Sequence, residues 1–184
     1  PASNALRRAI GEAHGIDSER IVCGNGSEEL LDVVGRMFVR PGDEIVMSQS
    51  GFFQFAVVAA RLGAELKRAA ERDLVTTREG LAAAVTARTK LVFLAVPNNP
   101  TGTVIPTTEV KAMRAELPPH VMLLLDLAYG EYLAEADLAE LTAWGMTQPN
   151  VILTRTFSKA YGLAALRAGW MVAPEQFTPG LNML

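Results

Sequence analysis

Cysteine is nearly absent from this chain. Cys23 stands alone, so no disulfide can form within it. Histidine is almost as scarce: His14 and His120 lie far apart without ligand-spaced companions, which argues against a zinc-type metal site. Long apolar runs are also missing. A stretch such as Val121 to Leu125 falls well below the roughly 18 residues of a membrane-crossing helix. No charged-then-apolar leader opens the sequence. An excess of basic residues is lacking too. The formal net charge is −3, which gives no electrostatic case for nucleic acid or an anionic membrane as partner. Internal repeats, low-complexity segments and the Gly-x-Ser-x-Gly elbow of serine hydrolases do not occur. Together these absences lead to the expectation of a reducing, cytoplasmic setting.

What is present is ordinary for one globular domain with a sizeable core: 184 residues, 49% hydrophobic and 20% charged. Because Pro1 is not a methionine and Gly180 to Leu184 reads as the opening of a helix, the sequence is expected to be an excerpt of a longer protein.

Helical and strand patterns alternate throughout. Helices are expected over Ser3 to His14, Ser27 to Val39 with Ser27 as N-cap, Phe52 to Leu62, Thr77 to Val85 and Thr107 to Leu117. Strands are expected over Ile21 to Cys23, Glu44 to Ser48, Glu65 to Ala69, Lys90 to Val96, Val121 to Asp126, Val151 to Thr156 and Gly169 to Ala173. Glu131 to Asn150 is the most polar stretch and reads as a surface helix with a loop. Several strands are apolar at successive positions, as in a parallel sheet covered on both faces. The fold class is therefore α/β, a three-layer αβα sandwich with a mostly parallel central sheet.

Ligands of such folds bind beyond the carboxyl ends of the strands, and the distinctive residues gather there. Lys159, beside Ser158, follows the Val151 strand, where packed neighbours would hold an amine for Schiff-base chemistry. Arg167 follows eight positions later and, with the hydroxyls, suits a phosphate. Gly26, Ser27 and Glu28 open a helix whose backbone N–H groups form a ready anion site; the plainer reading is a capped helix without ligand. Asp126 ends the Val121 strand. It is either a helix N-cap or the counter-ion of a buried cation such as a protonated pyridine nitrogen. Asn99, in a loop bounded by Pro97 and Pro100, and Tyr129 are either turn and packing residues or donors to a ring oxygen. Phe52, after Gly51, is either a core aromatic or a platform for a flat ring. Cys23 and both tryptophans are assigned to packing. The start Gly24-Asn25-Gly26 resembles a dinucleotide loop, but its sixth position is Glu29 where that motif needs glycine.

Taken together, Gly24 to Leu30, Pro97 to Gly102, Asp126 with Ala128-Tyr129, and Arg155 to Leu163 through Arg167 resemble the fold-type-I aminotransferases that use pyridoxal phosphate. The nearest subgroup is the one containing histidinol-phosphate aminotransferase. The resemblance covers essentially the whole chain in order and spacing. It implies a single large cofactor-binding domain over residues 1–184 and transamination between a small-molecule amino donor and a 2-oxo acid acceptor. It implies Lys159 as the Schiff-base lysine that also shuttles the α-proton, and Asp126 as partner of the pyridine nitrogen. Asn99 and Tyr129 would hold the phenolic oxygen and Phe52 would stack on the ring. Gly26, Ser27, Glu28 through its backbone, Ser158 and Arg167 would hold the phosphate. A cytoplasmic homodimer is expected, with no metal, nucleic acid or membrane partner.

The sequence departs from the family pattern at three positions. Leu127 replaces a frequent glutamate, Phe52 a frequent tyrosine, and Ala165 a usual glycine. An N-terminal arm carrying a tyrosine and a small C-terminal domain carrying an arginine are expected outside the sequence. Two other readings stay open: a lyase of the threonine-phosphate decarboxylase type, and a sensor domain of a transcription regulator.

Overall fold

The alternating pattern folds as a sheet with helices on both faces. A computed structural model describes residues 3–184. The strands are β1 (Ile21–Gly24), β2 (Glu44–Ser48), β3 (Glu65–Ala69), β4 (Glu71–Arg72), β5 (Val75–Thr76), β6 (Thr89–Ala95), β7 (Met122–Asp126), β8 (Val151–Thr156) and β9 (Gly169–Val172). The helices are α1 (Asn4–His14), α2 (Ser27–Phe38), α3 (Phe53–Leu62), α4 (Arg78–Ala84), α5 (Thr107–Glu116), α6 (Glu135–Thr147) and α7 (Thr178–Leu181).

Seven strands form the central sheet in the order β1-β9-β8-β7-β6-β2-β3. Only β9 runs against its neighbours; the remaining pairings are parallel. Since β9 opposes both β1 and β8, those two point the same way. The carboxyl ends of β1, β2, β6, β7 and β8 therefore meet along one edge of the sheet.

Strand alternation divides the core. Leu91, Phe93 and Ala95 of β6 pack with α2 and α3 on one face, while Val92 and Leu94 pack with α4, α5 and α6 on the other. Burial on both faces explains why these strands are apolar at successive positions. Phe93 stacks on Phe55 with ring centroids 4.6 Å apart. Burying one such side chain contributes about 1.5–3 kcal/mol. A third cluster of Ile10, Ile16, Ile21, Trp170 and Val172 seats α1 on β1 and β9, and half-buried Cys23 joins it. Trp144 packs against the second face, so both tryptophans serve packing.

The expected elements are present with ends shifted by a residue or so, and α6 occupies the polar stretch with only Leu141 and Gly145 buried. Three details differ. Ser27 is the first helical residue of α2, not its N-cap; Gly26 holds the cap position and no side chain caps that end. The β4–β5 hairpin has no strand signal in the sequence, because each strand is only two residues long. The final helix spans Thr178–Leu181, earlier than the Gly180 to Leu184 reading. No described helix is long and apolar enough to cross a membrane.

Candidate active site

The site is assembled at the edge where the strand ends meet. Gly26 links β1 to α2 with φ 84° and ψ 171°, a conformation that side chains disfavour. With no side-chain cap, the first amides of α2 keep their hydrogen-bonding capacity for an anion. The guanidinium of Arg167 lies over this bend. It donates to the Asn25 carbonyl at 3.3 Å, to Ser158 Oγ at 3.5 Å and to the Ala164 carbonyl at 3.2 Å. A Cβ on Gly26 would sit 2.6 Å from Arg167 Nη2. Glu29 turns back to accept from the backbone and side chain of Asn25, and those bonds hold its carboxyl below the usual range. The anion cradle of α2, Ser158 and Arg167 is thus built from segments more than 100 residues apart in sequence, as with the Arg167–Asn25 bond at a separation of 142.

Gly169 supports this cradle from below. A Cβ there would come within 2.6 Å of Gly26 C and Ser27 N, both backbone atoms with little freedom to move. Gly169→Ala should therefore displace the start of α2. The expected cost is about 1–3 kcal/mol of stability, the range for overpacking a filled site, together with weaker anion binding. Denaturant titration and phosphate titration of the variant beside the parent check both effects.

Asp126, at the end of β7, is 3% exposed. Its Oδ1 accepts from Thr154 Oγ1 at 2.9 Å and from the Ala128 amide at 3.1 Å. This is a turn around a buried carboxylate and not a helix N-cap. Burial pushes the carboxyl up to about 6; the Thr154 and Ala128 hydrogen bonds and the Lys159 charge oppose the shift, and Glu28 adds to it. A carboxylate in this condition gains from a cation placed against it.

Lys159 faces the same cleft, its Nζ 5.3 Å from the centroid of the Tyr129 ring. Here the sequence expectation needs correcting. Lys159 is exposed, not held by packed neighbours, and Tyr161, Leu163 and Leu166 after it are exposed as well. The backbone supplies the restraint instead: Gly162 N donates to Lys159 O and Leu163 N to Phe157 O. Asn99 is positioned by its neighbour Asn98, whose Nδ2 donates to the Ser50 carbonyl and Thr101 Oγ1. Phe52 meets Phe53 and Phe55 in edge-to-face contacts at 5.1 and 5.8 Å.

Ser27, Glu28, Phe52, Asn99, Asp126, Tyr129, Ser158, Lys159 and Arg167 line one cleft, and Gly26 lies beneath Arg167. Every candidate residue is therefore brought together. Ala95, Ala128 and Thr156 also line the cleft, and Thr154 orients Asp126. Sequence reasoning passed over them, although their alternation with buried Leu153 and Arg155 along β8 placed both threonines on one face. Of the departures, Leu127 is buried in the core and Ala165 sits in a short 3-10 turn, so neither removes a group from the cleft. Among the described residues no group of three or more His, Cys, Asp or Glu is placed to hold a metal.

The chain resembles known proteins along its whole length. The family model described as aminotransferase class I and II matches residues 1–184. A histidinol-phosphate aminotransferase from Rhodopseudomonas palustris strain TIE-1 is 47% identical over 182 residues, covering 99% of this chain and 50% of the relative. The chain thus spans about half the length of the curated relatives it matches. The crystal structure of histidinol-phosphate aminotransferase from Sinorhizobium meliloti in complex with pyridoxal-5'-phosphate superposes with a TM-score of 0.91 at 34% identity, over 98% of this chain and 49% of that one. The L-threonine-O-3-phosphate decarboxylase of Porphyromonas gingivalis, at 20% identity and a TM-score of 0.82 over 100% of this chain and 56% of its own, shares the fold.

Proposed function

The chain belongs to the aminotransferase class I and II family, and on that footing we propose that it is the pyridoxal-phosphate-binding large domain of an enzyme transferring an amino group to a 2-oxo acid. Histidinol phosphate is the proposed amino donor, supported by the relatives of that name at 47% identity. One observation carries the reading. Asp126 is a fully buried carboxylate met only by a hydroxyl and an amide, and it opens onto a cleft that also holds a lysine and an anion cradle.

These residues fit the cofactor. Asp126, its carboxyl raised by burial, would pair with the protonated ring nitrogen. Tyr129 and Asn99 would donate to the ring oxygen, Phe52 would cover the ring face, and Ser27, the Glu28 amide, Ser158 and Arg167 would hold the phosphate. When bound, the cofactor supplies an electron sink for negative charge developing at the donor's α-carbon. Lys159 Nζ would take the α-proton and return it, as a general base and then a general acid. The Tyr129 ring beside Nζ limits where that amine can move. A cytoplasmic homodimer completes the proposal, with the N-terminal arm and small domain of the full-length enzyme contributing the rest of the substrate site.

The test is made on the full-length protein with pyridoxal phosphate. Histidinol phosphate and 2-oxoglutarate should yield glutamate. Carbon dioxide release from threonine phosphate without glutamate formation would instead make the protein a lyase. Failure to acquire a visible absorbance band would remove the cofactor site altogether.

A further inference from the structure

Arg155 and Glu131 have no place in the proposed chemistry, yet they join its two halves. Arg155 lies on β8 between Thr154 and Thr156, and strand alternation turns it to the opposite face, behind the cleft. Its Nη2 meets Glu131 Oε1 at 2.6 Å, with side chains only 6% and 18% exposed. The guanidinium carbon lies 5.5 Å from the centroid of Trp170. Arg155 Nε would be 3.7 Å from a Cβ on Gly130, so the side chain runs directly under the turn that follows Tyr129. Glu131 stands two residues after Tyr129, and Arg155 four residues before Lys159.

The pair is costly for what it returns in stability. Arg155 Nε and Glu131 Oε2 are both buried without a hydrogen-bond partner. A buried ion pair with such incomplete satisfaction is often replaceable by apolar residues without loss of stability. What apolar residues cannot reproduce is a fixed relation between two chain segments.

We propose that the Arg155–Glu131 ion pair is a positioning device that holds the Tyr129 turn against the strand delivering Lys159, and so sets where the tyrosine hydroxyl and the lysine amine meet a bound substrate. The pair touches neither substrate nor cofactor and acts through Tyr129 and Lys159. The inference rests on the cofactor site proposed above.

The experiment uses full-length protein loaded with pyridoxal phosphate. The double variant Arg155→Met/Glu131→Leu removes the pair without stranding a charge. The single variant Glu131→Gln keeps the shape and one acceptor but leaves the Arg155 charge without its counter-ion, so its melting temperature is expected to fall; its dichroism and kcat in the folded range decide the matter if the double variant does not fold. Melting temperature, visible circular dichroism per bound cofactor, kcat and KM are measured. The expected result is a melting temperature close to the parent, a reduced visible dichroism, and a kcat lower by about 10- to 100-fold, the scale of a small misplacement of reacting groups, with KM little changed. Parent-like dichroism and kcat in a folded variant would overturn the inference and leave the site reading intact. Parent protein that takes up no pyridoxal phosphate would overturn the site reading, and the inference with it.

Discussion

Lys159→Ala in the full-length protein is expected to abolish amino transfer, with a rate loss on the order of 10⁴-fold or more, because on the proposed reading this one side chain would supply both the covalent attachment and the proton shuttle. Among the described residues no other amine lines the cleft. Lys67 is paired with Glu65 and Glu44, Lys111 with Glu140, and Lys159 alone among the lysines lines the cleft. The fold should be unaffected. Lys159 is exposed and makes no ion pair among the described residues, so stability should stay within about 0.5 kcal/mol of the parent, as for other surface changes. Activity and the borohydride-reducible covalent link to the cofactor should vanish together while the melting curve stays in place. An active Lys159→Ala protein that keeps that link would end the assignment.

Asp126→Asn should have opposite effects on stability and on function. The folded carboxyl titrates at about 6, against an unperturbed value of 3.8. The folded state therefore binds the proton more tightly than the unfolded state. Stability from this group is fully present below the unfolded value and is lost as pH rises through about 6. Above that pH the buried carboxylate costs the cofactor-free protein roughly 3 kcal/mol, from about two pH units at 1.36 kcal/mol each. Asparagine keeps an oxygen for Thr154 and Ala128 but carries no charge. Cofactor-free Asp126→Asn should thus be more stable than the parent at pH 7.5 by about 1–3 kcal/mol, with less decline between pH 4 and 6. Loaded with cofactor it should lose activity by on the order of 10²- to 10³-fold, the usual effect of removing one preorganised electrostatic group. Denaturant titrations across pH and steady-state assays separate the two. A variant less stable than the parent without cofactor would show that Asp126 is a structural residue.

The strengths and gaps of the sequence reading have the same source. Val121 to Leu125 announces a strand because burial on both faces leaves no polar position, a local property. Lys159, Asn99 and Asp126 stand out because they interrupt or follow such runs at strand ends, where an α/β sheet collects its ligands. Local preference alone puts Ser27 at the N-cap. In the fold Gly26 takes the cap position, with Arg167 above it and Gly169 below.

By itself the sequence determined the alternation of helices and strands, the αβα class and the residues that would stand at the strand ends. These follow from periodicity and turn chemistry over a few neighbouring positions. Tertiary structure alone decided that β9 runs against the sheet, that Thr154 and Ala128 clasp a carboxylate raised to about 6, and that Lys159 is exposed. It also decided that Arg155 reaches back 24 residues to Glu131. Burial, pairing and charge are set by which distant segments come into contact, and local pattern carries no record of that.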